Sequence, residues 1–255
     1  MFSSDYKNEM RKFLNHILKG SMTYLKYYWM NSDYGKSASE MREEIYHEVL
    51  NNNTSLPFKV KCGASKLAIM FEEFEDVVFK IPFMGSATLD EMEGQYVPYD
   101  IDVFHYADYD RGWNYCQTDK HVYERIMNEA DELEDFFCEV EFLDFIDDHP
   151  VYVQERVSKT IEDVDFSNYS KEHPISENSL DFCKEDWFQD SLKDLSWGNT
   201  EISMLFAKIC DDYGENVAEE LLRYMTEEID DLHELNYGIN EDGYIRIFDY
   251  SGFDN

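Results

Sequence analysis

The stretch from residue 58 to residue 157 constrains the fold most, because the spacing of its apolar residues changes twice. Short apolar segments with bounding turns are typical of β-strands, and they occupy both ends of the stretch. Between them, residues 118–133 keep helical spacing. The five strand-like segments are residues 58–62, 67–71, 77–81, 138–146 and 151–157. The order of three strands, a helix and two strands predicts an antiparallel sheet with one inserted helix.

The residues before this stretch predict an N-terminal helical extension over residues 1–57. A helical stripe runs through Met10, Phe13, Leu14, Ile17 and Leu18. Ser39 is suited to cap a second helix, and the polar run 51–57 has the composition of a linker. The extension is either a cap on the main core or a module that binds a partner.

The second half of the chain predicts a helical region and one more strand. Apolar spacing indicates helices at 200–212 and 215–230 and a strand at 244–248. Residues 158–199 are polar and acidic, and residues 84–115 read as a long insertion with little regular structure. The fold class is therefore α+β. We expect an N-terminal extension (1–57), a sheet-rich lobe (58–157, with the insertion 84–115) and a reduced helical lobe (158–255).

The charge of the chain limits its partners. The net charge is −34, and residues 1–57 balance seven basic against seven acidic residues, so the whole excess lies after residue 57. Direct binding to nucleic acid or to an anionic membrane needs the opposite sign and is not expected. A protein partner or substrate with a basic surface is expected instead. Five separated cysteines and no long apolar run predict a soluble cytoplasmic protein.

Polar residues of a particular kind stand at the ends of the predicted elements. Phosphoryl transfer from ATP needs a lysine on the phosphates, a carboxylate on that lysine, a base for the attacking hydroxyl, and Asn and Asp ligands for Mg²⁺. Lys80 lies in the third strand and Glu124 in the following helix. Asp231 comes five residues before Asn236, and Asp249 ends the last strand.

These residues make the chain resemble the protein-kinase-like superfamily, over about residues 58–252. Val-Val-Phe-Lys80 resembles the Val-Ala-Ile-Lys strand, and Asp249-Tyr-Ser-Gly resembles Asp-Phe-Gly. Asp231-Leu-His-Glu-Leu-Asn236 is similar to the catalytic loop of aminoglycoside-phosphotransferase-like and phage-encoded kinase-like proteins. The resemblance implies a two-lobed fold with an antiparallel sheet in the first lobe, and ATP and Mg²⁺ as cofactors.

The resemblance also implies a role for each matching residue. Asp231 would be the base, with Lys80 on the phosphates and Glu124 paired to Lys80. Asn236 and Asp249 would hold Mg²⁺. The loop before the second strand would help to bind phosphate through Gly63, Ser65 and Lys66, and the hinge would bind adenine at Gln154, Glu155 and Val157.

The sequence departs from the family pattern in three places. Ile229 stands where the family has histidine, and the loop 62–66 has one glycine where kinases have three. No activation segment follows Asp249 in the 255 residues. A minimal atypical kinase therefore fits better than a dedicated protein kinase.

Two functions follow, and they differ in class. One is an ATP- and Mg²⁺-dependent phosphotransferase, encoded by a phage or mobile element if the family likeness extends to origin. The other is a catalytically weak, pseudokinase-like acidic protein that inhibits a basic nucleic-acid-binding or defence partner. An ordinary α+β protein whose acidic turns imitate these motifs remains a third reading.

Overall fold

The computed structural model describes most of the chain in two compact units. The first unit comprises residues 1–120 and 139–155, and the second comprises residues 121–138 and 156–255. The described residues are 2–19, 58–62, 66–82, 88–90, 95–97, 115–146, 149–195, 199–227, 229, 232 and 236–250.

A five-stranded antiparallel sheet forms the centre of the first unit. Its spatial order is β1-β2-β3-β7-β6, so each strand pairs with a neighbour in sequence except at the step from β3 to β7. The strands are β1 (Phe58–Cys62), β2 (Lys66–Phe71), β3 (Val77–Pro82), β6 (Val140–Ile146) and β7 (His149–Glu155). The predicted strands and the antiparallel pairing are thereby confirmed, with ends that shift by one or two residues.

Helix α1 (Ser4–Leu18) covers one face of this sheet. Ser3 caps the helix by accepting a hydrogen bond from the amide of Tyr6 at 3.2 Å. The buried side of α1 belongs to one apolar cluster with the sheet, and Phe13 adds edge-to-face contacts with Phe71 and Phe74. The cluster residues are Met10, Leu14, Ile17, Leu18, Ile69, Phe71, Phe74, Val77, Phe79, Ile81, Leu143, Ile146, Val151 and Val153. The stripe predicted from residue 10 therefore packs on the unit's own core, as a cap would.

The opposite face of the sheet carries polar side chains. Directly opposed residues of an antiparallel pair share a face, and alternate residues along a strand return to it. Ala68 opposes Lys80, Lys80 opposes Tyr152, and Val78 opposes Gln154. We call the face that holds Lys66, Lys80, Tyr152 and Gln154 the lysine face.

The inserted helix is α2 (Tyr115–Glu129), and a short 3₁₀ helix (Asp131–Phe136) follows it. Sequence spacing predicted this helix over residues 118–133. Within the predicted insertion 84–115, β4 (Thr88–Asp90) and β5 (Gln95–Val97) form a two-stranded antiparallel pair.

The second unit is mainly helical. Its two longest helices confirm the prediction for residues 200–230, and three short helices lie in the polar, acidic region 158–199, for which no helix was predicted. The helices are α3 (Phe166–Glu172), α4 (Glu177–Phe182), α5 (Asp186–Leu192), α6 (Asn199–Tyr213) and α7 (Glu215–Glu227). None of the helices in the described ranges combines the length and apolar character that crossing a bilayer requires.

A three-stranded antiparallel sheet completes the second unit. Its order is β10-β9-β8, with β8 at Lys159–Thr160, β9 at Tyr237–Ile239 and β10 at Ile245–Ile247. The amide of Cys138 donates to the carbonyl of Ile247 at 2.8 Å. This bond connects the end of segment 121–138 with β10 of the second unit. The sequence analysis places the same segment in the sheet-rich lobe (58–157).

Candidate functional site

Lys80 lies in the middle of the lysine face. Its strand is buried over most of its length, and Lys80 itself is only 5% exposed. A lysine buried this deeply needs a carboxylate or another acceptor, because an isolated ammonium group is poorly tolerated away from water. The site therefore depends on which acid contacts Lys80.

Asp119, on the first turns of α2, is an acid that contacts Lys80. The Lys80 Nζ lies 3.6 Å from Asp119 Oδ2, and the Lys66 Nζ lies 3.1 Å from the same oxygen. Asp119 is fully buried. Two ammonium groups from neighbouring strands thus converge on one carboxylate at the lysine face.

The predicted pairing of Glu124 with Lys80 stays a prediction, and the contact of Lys80 with Asp119 was not predicted from the sequence. Glu124 is five residues further along α2, which is about 140° around the helix axis. Its side chain is exposed, whereas Asp119 is buried. Both are acidic and both lie on the predicted helix, so only their place around the helix separates them.

The helix pattern contained a signal for Asp119. The buried residues of α2 include Cys116, Asp119, Tyr123 and Ile126, at intervals of three, four and three. This is the spacing of one helix side. An acid in an otherwise apolar stripe indicates a buried carboxylate with a basic partner.

A second contact holds α2 to the sheet. The Tyr152 hydroxyl, opposite Lys80 in the strand pairing, donates to Gln117 Oε1 at 2.9 Å. Both side chains are buried. Gln117 and Asp119 therefore fix the start of α2 through two different polar contacts, and neither Gln117 nor Tyr152 was predicted from the sequence.

The segment predicted to bind adenine lies at the end of β7. Glu155 is half-buried, and its amide donates to the carbonyl of Glu139 at 2.9 Å. Val157 is half-buried in the following stretch. Gln154 is 1% exposed and sits on the lysine face, two residues after Tyr152.

The predicted metal ligands belong to the second unit. Asn236 precedes β9 and Asp249 follows β10, and the carbonyl of Asn236 accepts from the amides of Phe248 at 2.9 Å and Asp249 at 3.3 Å. The β9–β10 hairpin therefore brings these two residues together at its open end. Tyr250 fixes the next position, because its hydroxyl donates to the carbonyl of Cys138 at 2.9 Å.

The chemistry of this pair suits Mg²⁺. Magnesium prefers oxygen ligands and is usually held by one or two carboxylates together with substrate phosphates. An asparagine amide oxygen and an aspartate carboxylate are ligands of the kind that Mg²⁺ prefers. The backbone hydrogen bond joins the main chains of these two residues. Within the described ranges no cluster of three or more His, Cys, Asp or Glu residues has the arrangement of a metal site.

Three predicted site residues, Gly63, Ser65 and Asp231, lie outside the described residues. Their roles therefore stay predictions. Ile229, which takes the place of the family's histidine, is buried.

Comparison with protein-family models and with curated protein sequences gave no match.

Proposed function

We propose that this protein is an ATP- and Mg²⁺-dependent phosphotransferase with an atypical, protein-kinase-like fold. The observation that carries the proposal is the contact of Lys80, in the third strand, with the buried Asp119 on the helix that follows. Kinases hold the phosphate-binding lysine with an acid on the helix after that strand. Here the acid is an aspartate, which is one methylene shorter than glutamate.

The order of the elements supports the same reading. One antiparallel sheet holds three strands, then receives two more after the inserted helix. Later in the chain, the β9–β10 hairpin lies between Asn236 and Asp249. The Asp249 amide donates a hydrogen bond to the Asn236 carbonyl. This is the order in which the resemblance places the lysine, its acid and the metal ligands.

Each residue of the proposed site has a separate task. Lys80 and Lys66 would bind the phosphates through their ammonium groups, and Asp119 keeps both groups in position. Asn236 and Asp249 would hold Mg²⁺ through side-chain oxygens, and Asp231 would accept the proton of the attacking hydroxyl. Bound Mg²⁺ would neutralise charge on the transferred phosphoryl group.

Thermal unfolding with ATP or ADP, each with and without Mg²⁺, tests the nucleotide site. A ligand that binds only the folded protein raises the midpoint by mass action. We expect a Mg²⁺-dependent rise that Lys80→Met and Asp249→Asn abolish. The matched control is Lys184→Met, which removes an exposed lysine that pairs with Asp181 at 2.9 Å. No rise in the wild-type protein would refute the proposal.

Transfer itself is tested with γ-labelled ATP. The acceptors offered are the protein itself, a basic protein and a panel of small hydroxyl compounds. We expect label transfer that Asp231→Asn abolishes while the Mg²⁺-dependent thermal rise remains. Undiminished labelling in Asp231→Asn would remove Asp231 from the mechanism.

The charge of the chain favours a second function. A net charge of −34 suits a protein that occupies a basic surface without transferring phosphate. In that case a basic probe such as purified histone binds with an affinity that falls as salt is added. Such binding would persist in Asp231→Asn, and no label would be transferred by the wild-type protein.

A further inference from the structure

An exposed tryptophan lies where helices α4 and α5 of the second unit meet. Trp187 is 41% exposed, and its ring contacts Phe182 edge-to-face at 5.8 Å and Phe188 at 5.5 Å. Phe188 is fully buried and packs against Phe206 of α6, with ring centres 5.5 Å apart. The indole is therefore anchored on the core of this unit while a large part of it faces water.

A carboxylate also fixes the indole. Glu185 occupies the N-cap position of α5 but makes no capping hydrogen bond with its side chain. Its Oε2 accepts instead from the Trp187 Nε1 at 2.7 Å. The faces of an aromatic ring carry its negative charge density, and the N–H group lies at the ring edge. The Glu185 carboxylate therefore adds negative charge beside a ring that already attracts cations.

The same unit contains a comparable group of side chains with a cation in place. The Tyr244 hydroxyl donates to the Asp212 carboxylate. The Lys208 Nζ lies 2.7 Å from Asp212 Oδ2 and 4.5 Å from the centre of the Tyr244 ring. Lys208 is thus bound by a carboxylate and by the aromatic ring that donates to that carboxylate. Such a cation is attracted by the ring quadrupole as well as by the opposite charge.

The group at Trp187 has the ring and the carboxylate without the cation. No lysine or arginine in the described part of the chain lies over the Trp187 ring. Lys184, the nearest basic residue in the sequence, pairs instead with Asp181 at 2.9 Å. Tryptophan binds cations more strongly than tyrosine or phenylalanine does. A cation from another molecule can therefore take the position that Lys208 takes in the Tyr244 group.

We propose that Trp187 and Glu185 form a docking surface for a basic protein segment. An arginine side chain of the partner lies over the indole and beside the carboxylate. The net charge of −34 attracts such a segment from a distance, and the anchored indole fixes where it binds. Tryptophan is among the residues that contribute most to affinity at protein interfaces. The inference does not rest on the proposed nucleotide site.

Titration calorimetry with octa-arginine tests the surface. Octa-citrulline, which has nearly the same shape without the charge, should not bind. We expect Trp187→Leu, which keeps an apolar side chain but no ring, to bind octa-arginine about fivefold more weakly. Trp187→Phe keeps a ring and should lose less affinity than Trp187→Leu.

Two further variants separate the contribution of the carboxylate and the effect of position. Glu185→Gln keeps an acceptor for the indole N–H and removes the charge, so it should also weaken octa-arginine binding. Tyr213→Ala is the matched control, because Tyr213 is 43% exposed in the same unit and contacts the Tyr244 ring at 5.4 Å, where Lys208 already supplies the cation. Its affinity should equal that of the wild type. Far-UV circular dichroism checks that each variant is folded.

Three results would overturn the proposal. Equal octa-arginine affinity of the wild type and Trp187→Leu would leave the net charge as the whole cause of binding. Equal losses in Trp187→Leu and Tyr213→Ala would remove the specific position, and a wild-type protein that does not bind octa-arginine would remove the surface itself. None of these measurements involves ATP, so the docking surface and the phosphotransferase are tested separately.

Discussion

Replacing Asp119 by alanine would remove the carboxylate that Lys66 and Lys80 share. At an effective dielectric constant of 20, each contact contributes an attraction of about 5 kcal/mol at 3.1 and 3.6 Å. The two ammonium groups lie at most 6.7 Å apart, because both touch the same oxygen at those distances. Their mutual repulsion is therefore at least about 2.5 kcal/mol.

The desolvation of Asp119 offsets part of this attraction. Breaking a buried ion pair by removing one partner costs about 3–5 kcal/mol in practice. We expect Asp119→Ala to lower the free energy of unfolding by that amount. The control is Glu124→Ala on the same helix, where the side chain is exposed and the change should stay within about 0.5 kcal/mol.

Urea unfolding followed by far-UV circular dichroism measures both variants. A third protein, with Lys66→Met, Lys80→Met and Asp119→Leu together, removes all three charges. It should recover much of the loss, because apolar replacement of a whole buried ion cluster is often neutral. Equal stability of Asp119→Ala and Glu124→Ala would refute the assignment of the buried acid. A triple variant as unstable as Asp119→Ala would refute the electrostatic cause.

Two further predictions concern the second unit. Gly243→Ala should destabilise by more than about 2 kcal/mol in urea, because φ is +84° and a Cβ would lie 2.6 Å from His173 Nε2. Gly214→Ala is the control, because its φ is +94° but an added Cβ would lie in open space. It should lower the free energy of unfolding by only about 1–2 kcal/mol, and equal losses for the two variants would contradict the clash. Hydrogen bonds from Lys208 and Tyr244 lower the pKa of Asp212. The stabilisation from this carboxylate is fully present above its unfolded pKa of about 3.9 and is lost as the pH falls through the lower folded pKa. Asp212→Asn should therefore make the loss of stability below about pH 4 less steep.

The strands of the first unit were predictable because their physical signal is local. Alternation, short length and turn residues mark β2 and β3 directly, and one buried face against α1 fixes their register. Lys80 was predictable for the same reason, since it is the one charged residue in the apolar strand β3. The contact of Lys80 with Asp119 was not predicted, because the sequence alone does not show which side of α2 meets the sheet.

The short helices of the second unit show another limit. Each has six or seven residues and buries only one or two side chains, so hydrophobic spacing has too few points to show a period. The better signals are the caps. Asp165 accepts from the amide of Ser167, and Ser176 accepts from the amide of Ser179. The chain has 56 acidic residues, so a capping aspartate such as Asp165 is hard to distinguish in the sequence from the acidic residues that cap no helix.

The place of α1 in the chain has a consequence during synthesis. The helix precedes β6 and β7 in the chain, yet these strands supply four residues of its apolar cluster: Leu143, Ile146, Val151 and Val153. The ribosome adds about 5–20 residues per second, so α1 waits roughly 7–30 s for β7 to appear. During that interval its apolar stripe is incompletely covered and is open to chaperones or to another nascent chain. Co-expressed chaperones should therefore raise the soluble yield, and a circular permutant that begins at β1 and places α1 after β7 should depend on them less.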